Sequence, residues 1–318
     1  MKLTLARPPH AEHVARFYQS IHGDEFPHPE MFSAETVAQL LSDDELAVVI
    51  ASNGKRIVGC GLGLTQNWNQ VLEIGALSVD EVPERTEIAK ALFEALRRFG
   101  LKQFGVAFFR ARSEAAFRRG REIGATCWGV WPAPASRDID DCELLMGFYE
   151  PDGALPRVQP PKNLITALPF SQRIAEAIPG QTSEIAYPKQ FPVGAPRGTG
   201  TVVISGRVWP TYHSAGNYVT IESSAGPYPI EVIREFVGKV RQKGVTDIRL
   251  ALPVNQEQAF VDLLDFGFRA VSYLPGWHLR GTHRFDCVEL VAGMPRVPRD
   301  PQTFMERAVS KIISGLAP

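Results

Sequence analysis

The chain contains its own second copy, and that repeat limits the folds open to it. Shifting the sequence by 144 residues lays Pro83 on Pro227. The same shift lays Ile88, Ala89, Leu92, Phe93 and Leu96 on Val232, Ile233, Phe236, Val237 and Val240. Both sets have the spacing of one helix face, so both segments are expected to bury the same stripe. At nearly the same offset Ala116-Phe117 meets Ala259-Phe260, Gly124 meets Gly267, and Asp141-Cys142 meets Asp286-Cys287. The order strand, helix, strand, helix, strand recurs in each half, as internal duplication requires.

Two domains follow, expected at 1–152 and 153–318. Their junction is proline-rich over about 151–196, where proline breaks helices and stiffens connections. In the first half, helices are expected at 11–20 and 33–41. A hairpin turning at Asn53-Gly54 comes next, then strand 71–79, helix 84–99, strand 105–110, helix 113–122 and strand 142–149. In the second half, strands are expected at 201–208 and 217–222, helix 229–243, strand 247–252, helix 255–265 and strands 268–273 and 285–291. A last amphipathic helix is expected at 301–314. Each half is thus α+β, a mixed and mostly antiparallel sheet flanked by helices.

Composition narrows the function. The 318 residues carry a net charge of −1, which offers no basic field for nucleic acid or an anionic membrane. No apolar run is long enough to cross a bilayer, and the N-terminus lacks the pattern of a secretory signal. Four separated cysteines without a CxxC pair argue against zinc or a redox dithiol. They are expected to be buried thiols in a cytoplasmic protein. His10, His13, His22 and His28 lack the carboxylate and Cys spacing of a metal site, and no metal is expected. Nucleotide and serine-hydrolase fingerprints are missing too.

The segment LEIGALSVDEVPERTEIAKALFEALRRFG, a strand running through a short acidic turn into a helix, carries a resemblance. In this order, and repeated, the pattern resembles the GNAT superfamily of acyl-CoA-dependent N-acyltransferases in a tandem form. That family shows Arg-x-x-Gly-x-Gly or Ala at the helix start. This chain keeps Arg85 but has Ile88 and Lys90 in place of the glycines. Asp80, Glu81, Glu84 and Glu87 surround the turn, where a pyrophosphate needs approachable backbone amides at a helix N-terminus.

The resemblance implies acetyl-CoA or another acyl-CoA as co-substrate and a small-molecule amine as acceptor, without nucleic acid or membrane as partner. It implies that backbone at Leu77 and Val79 holds the pantetheine, and the helix start, Arg85, Thr86, Ile88 and Lys90, the pyrophosphate. Glu73 takes the place of the base that frees the amine. In the second copy the neutral turn Ser223, Ser224 and Gly226 is the corresponding candidate for an anion, the alternative being an ordinary proline-rich turn into a helix, and Asn217 stands where Glu73 does. The family's thiolate-protonating Tyr is replaced by Gly120 and Leu263. The alternative implied by these losses is a scaffold kept for binding or regulation. Trp68, Trp128, Trp131, Trp209, Tyr273 and Trp277 are candidates for lining a pocket or sealing an interface. Acceptor, acyl chain and oligomeric state have no signature in the sequence.

Overall fold

A computed structural model of the chain describes residues 1–23, 29–66, 69–131, 143–150, 155–160, 174–176, 178, 180, 185–187, 201–202, 208–213, 218–224, 230–245 and 247–292. The expected helix at 301–314 lies outside the described residues, as do Trp68, Cys142, Gly226 and the side chain of Trp209. The chain packs as two units, Met1–Phe109 and Arg110–Pro318.

In the first unit β1 (Lys2–Leu5), β2 (Leu46–Asn53), β3 (Arg56–Gln66), β4 (Val71–Val79) and β5 (Val106–Ala111) lie side by side in chain order. All neighbours are antiparallel except β4 and β5. Helices α1 (Ala11–His22) and α2 (Ala34–Ser42) cover one face. There Val14, Phe17, Tyr18, Val37 and Leu41 bury against Leu46, Val48, Cys60 and Leu62. Ser33 caps α2 through its hydroxyl, which accepts from Thr36 N–H at 3.2 Å, as small polar residues do at helix starts.

Helix α3 (Arg85–Phe104) covers the other face, and glycines set how close it lies. A methyl at Gly61 would come within 3.0 Å of Leu96 and 3.3 Å of Leu92, and one at Gly59 within 2.9 Å of Ile88. Sequence places the end of this helix at residue 99, before Gly100. The helix instead passes through Gly100, which is buried with Leu72 of β4 only 2.8 Å from where its Cβ would stand. Termination falls to Gly105, left-handed at φ 76°, the backbone state glycine adopts at little cost.

The second unit contains α4 (Glu114–Glu122), β6 (Thr126–Trp131), β7 (Glu143–Tyr149), β8 (Thr201–Val202), β9 (Val208–His213) and β10 (Tyr218–Ser224). These are followed by α5 (Ile230–Gln242), β11 (Asp247–Pro253), α6 (Glu257–Asp265), β12 (Arg269–Arg280) and β13 (His283–Ala292). Its strands are ordered β7-β6-β12-β13-β11-β10-β9-β8, with β10 and β11 the parallel pair. Strands β6 and β7 come from the end of the first sequence copy, yet Gly129 of β6 pairs with Ser272 of β12. Packing therefore divides the chain earlier than the sequence repeat does.

The α5 stripe expected from the repeat is present, with Ile233, Phe236 and Val237 buried. Gly124 after α4 and Gly267 after α6 are both left-handed, at φ 87° and 104°, so the two copies end this helix in the same way. Cys60 and Cys287 are buried, and burial raises both thiols far above their ordinary range. Cys127 is pushed up to about 11, by burial first.

Candidate functional site

Strand β4 carries the first feature that a ligand could use. Its pairing with β5 is confined, among the described residues, to Leu72 with Ala107 and Glu73 with Phe108. Strand β4 continues to Val79. Just beyond the last pair its register against β3 slips. Gly61 pairs with Leu77 and Gly63 with Ile74, so Gly75 and Ala76 stand opposite Leu62 alone. A bulge of this kind bends a strand and ends pairing. The β5-side edge of residues 74–79 thereby leaves the ladder, and Gly75, Ala76 and Leu77 are half-exposed. Backbone N–H and C=O on such an edge can pair with an extended partner.

Helix α3 starts close to the end of that edge. Its N-cap, Glu84, makes no side-chain capping bond, and the helix dipole favours an anion at this end. Arg85 and Thr86 are exposed there. The acidic turn is partly neutralised within the fold: Arg56 pairs with Asp80, and Lys90 pairs with Glu87 at 2.7 Å.

Ile88 is a core residue rather than a ligand group. Its side chain is buried and its N–H donates to Glu84 O at 3.0 Å. Among the sequence candidates in this copy, Glu73, Leu77, Val79, Arg85 and Thr86 remain placed along one strand edge and the helix start that follows it.

Glu73 is half-exposed and opposes Leu64 on β3. Leu64 packs with the α1/α2 cluster, which puts Glu73 on that face, at the last pair before the strands part. On the same face Ser78 Oγ lies 2.7 Å from His22 Nε2. The His22 ring stacks on Tyr18, with centroids 6.1 Å apart, and burial lowers its pKa. An imidazole bonded in this way to a β4 side chain can accept and return a proton. Sequence considers His22 only as a metal ligand, because nothing in the spacing from 22 to 78 points to a shared site. No group of three or more potential metal ligands occurs among the described residues.

The second copy repeats the strand geometry. Among the described residues, strand β10 pairs with β11 from Tyr218–Asp247 to Ile221–Leu250. Against β9 its register slips between Ile221 and Ser223, leaving Glu222 as the extra residue. Both copies thus place a bulge directly after the end of parallel pairing. Ser223 and Ser224 are not a turn at a helix start. They are strand residues, opposite Trp209 and Val208, because the hydrogen-bonded ladder extends beyond the bulge.

A parallel pair that parts at a bulge, followed by a helix start, is the geometry on which the family comparison bears. Residues 11–120 match the acetyltransferase (GNAT) family. No curated protein matches the chain in sequence.

Among solved structures, the aminoglycoside 6'-N-acetyltransferase from Enterococcus faecium shares 15% identity at a TM-score of 0.37, over 47% of this chain and 97% of that one. The ribosomal-protein-alanine N-acetyltransferase from Brucella melitensis shares 14% at 0.37, over 47% and 99%. A GNAT-family acetyltransferase from Streptococcus pneumoniae shares 14% at 0.38, over 47% and 98%. The GNAT-matched segment contains Glu73, His22, Ser78, the bulge and the start of α3. No helix among the described residues is long and apolar enough to cross a membrane.

Proposed function

We propose that the protein is an acyl-CoA-dependent N-acyltransferase whose working edge is β4 of the first copy. The parting of β4 from β5 after Glu73 and Phe108 carries this reading, inside the segment that matches the acetyltransferase family. Backbone groups at Leu77 and Val79 would pair with the amides of the pantetheine arm. The exposed first turn of α3, with Arg85 and the N–H of Thr86, would hold the pyrophosphate.

Glu73 would take the proton of the acceptor ammonium, so that the amine's lone pair forms the N–C bond as the C–S bond of the thioester breaks. The departing thiolate would recover a proton from solvent or through His22, since Gly120 and Leu263 offer no hydroxyl. The acceptor is then a small primary amine that enters from the α1/α2 face.

A binding or regulatory protein on the same scaffold is the second reading. The exposed Glu81, Glu84 and Glu87 at the helix start favour it, because they oppose a pyrophosphate.

Thiol release from acetyl-CoA, measured over a panel of primary amines, tests the first reading. Turnover with at least one amine is expected, and Glu73→Gln should lower kcat more than tenfold with KM for acetyl-CoA little changed. Absence of amine-dependent thiol release across the panel would overturn it.

A further inference from the structure

Once β4 leaves β5, residues 74–79 keep only the β3 ladder, in which Leu77 pairs with Gly61, Ser78 with Cys60 and Val79 with Gly59. The two faces of the sheet hold this stretch by different means. Gly59, Gly61 and Gly63 face α3, where an added Cβ would meet Ile88, Leu92 or Leu96. Paired residues share a face, so Val79, Leu77 and Ile74 also turn to α3. The opposite face, toward α1 and α2, is left with Ala76 and Ser78. Ala76 offers a methyl to the apolar cluster there. Ser78 is the one polar side chain among residues 74–79.

Ser78 is only 3% exposed, and its Oγ lies 2.7 Å from His22 Nε2. His22 ends α1, where Gly23 N–H bonds back to Gln19 O at 3.0 Å. One turn earlier Tyr18 is fully buried, and its ring stacks with that of His22 at an interplanar angle of 17°. Burial, aided by Cys60, raises the Tyr18 hydroxyl far above its ordinary range, and Ser78 opposes that shift. The last turn of α1 therefore grips Ser78 with a ring whose own place is fixed by packing.

The bulge at Gly75 and Ala76 gives this grip its importance. It interrupts the β3 ladder just after the parallel pairing has ended. A strand end with few ladder bonds opens easily unless side chains hold it, and ordering it on binding costs affinity. We infer that His22, acting through Ser78, is a positioning residue for the ligand-pairing backbone of Leu77 and Val79. This rests on the reading that the β4 edge receives the pantetheine arm of an acyl-CoA. The bond between hydroxyl and imidazole ties the strand to α1 before the ligand arrives, so that the amides of the arm meet a formed edge.

Hydrogen exchange and acetyl-CoA calorimetry on the full-length protein test it together, with Ser78→Ala, His22→Ala and His22→Gln beside the parent. Ser78→Ala and His22→Ala are expected to speed amide exchange over residues 74–79 at least threefold, with exchange over 46–53 unchanged. Both should weaken acetyl-CoA about fivefold, the size of one ordinary hydrogen bond. His22→Gln, which keeps an N–H to offer Ser78, should stay within twofold of the parent in both measurements. A general loss of stability would instead move 46–53 as well. Unchanged exchange over 74–79 in Ser78→Ala would overturn the inference whether or not acyl-CoA binds. Faster exchange with full acetyl-CoA affinity would overturn the positioning role. A parent that does not bind acetyl-CoA would overturn the reading of the β4 edge and this role with it, and the exchange rates distinguish that failure from failure of the His22–Ser78 tie.

Discussion

Arg157 and Asp286, 129 residues apart in the chain, meet as a two-pronged ion pair with no exposed side-chain surface. Nε of Arg157 donates to Oδ1 at 2.7 Å, and Nη2 donates to Oδ2. Asp286 also accepts from Gly276 N–H at 2.8 Å and from the Tyr273 hydroxyl. The remaining arm of Arg157 donates to Ile178 O at 2.6 Å. Burial alone would lower the Arg157 pKa, but Asp286 reverses this and the guanidinium stays above its ordinary range. The pair fastens the segment around residue 157 to β13, where Val158 N–H and Arg284 N–H also bond across.

Removal of one partner leaves the other charged and buried, which typically costs about 3–5 kcal/mol. Asp286→Asn is therefore expected to lower unfolding free energy in urea by that order. The double change Arg157→Met with Asp286→Leu, which removes both charges, should lose less than the single change. A double variant less stable than Asp286→Asn would contradict this account.

Gly129 is held at φ 148°, and a Cβ there would stand 2.4 Å from Val271 O and 2.5 Å from Ser272 Cα. Backbone cannot retreat as a flexible side chain can, so Gly129→Ala must part β6 from β12. A loss of more than about 3 kcal/mol is expected, beyond the usual range for a point change. Gly124→Ala meets nothing within 4 Å, though φ is 87°, and its cost should be about 1–2 kcal/mol. Thermal melts of the two variants side by side would expose the difference.

Two buried groups make stability respond to pH in opposite senses. Burial, opposed by Arg249, pushes Glu289 up to about 7. Its contribution is fully present below the unfolded carboxylate pKa and is lost as pH rises through 7. Burial, aided by Arg280, pushes His278 down to about 4. Its contribution is present above the unfolded imidazole pKa and is lost as pH falls through 4.

Between roughly pH 4.5 and 6.5 the two slopes oppose each other, each about 1.4 kcal/mol per pH unit. Glu289→Gln removes one slope. Its stability relative to the parent should fall by about 3 kcal/mol on going from pH 6.5 to 4.5. Parallel stability curves for the two proteins would contradict the assignment.

Periodicity made the helices and the β2–β3 hairpin legible in the sequence, because one apolar stripe per helix and an Asn-Gly turn are local signals. Strand β4 was legible to its ends at residues 71 and 79. Strand β6 was not, since TCWGVW has no clean alternation and is held by pairing with β7 and β12, far away in sequence. Gly100 suggested a helix end because glycine usually weakens helices, but its role is close approach to Leu72.

At the proposed site, the family pattern put Glu73, Leu77 and Val79 on one strand and Arg85 at the helix start that follows, and the elements lie there. His22 with Ser78 had no such signal. The partners lie on different elements, and only the fold brings them together. Ser223 and Ser224 looked like a turn because small polar residues favour turns, yet the β9 ladder extends over them.

The central claim is that the open edge of β4 and the start of α3 receive an acyl-CoA. Calorimetric titration of acetyl-CoA into the full-length protein tests it most directly, with Arg85→Glu beside the parent. The account predicts micromolar binding by the parent and at least a tenfold loss in Arg85→Glu. No binding to the parent up to millimolar acetyl-CoA, or equal affinity in the two proteins, would contradict it.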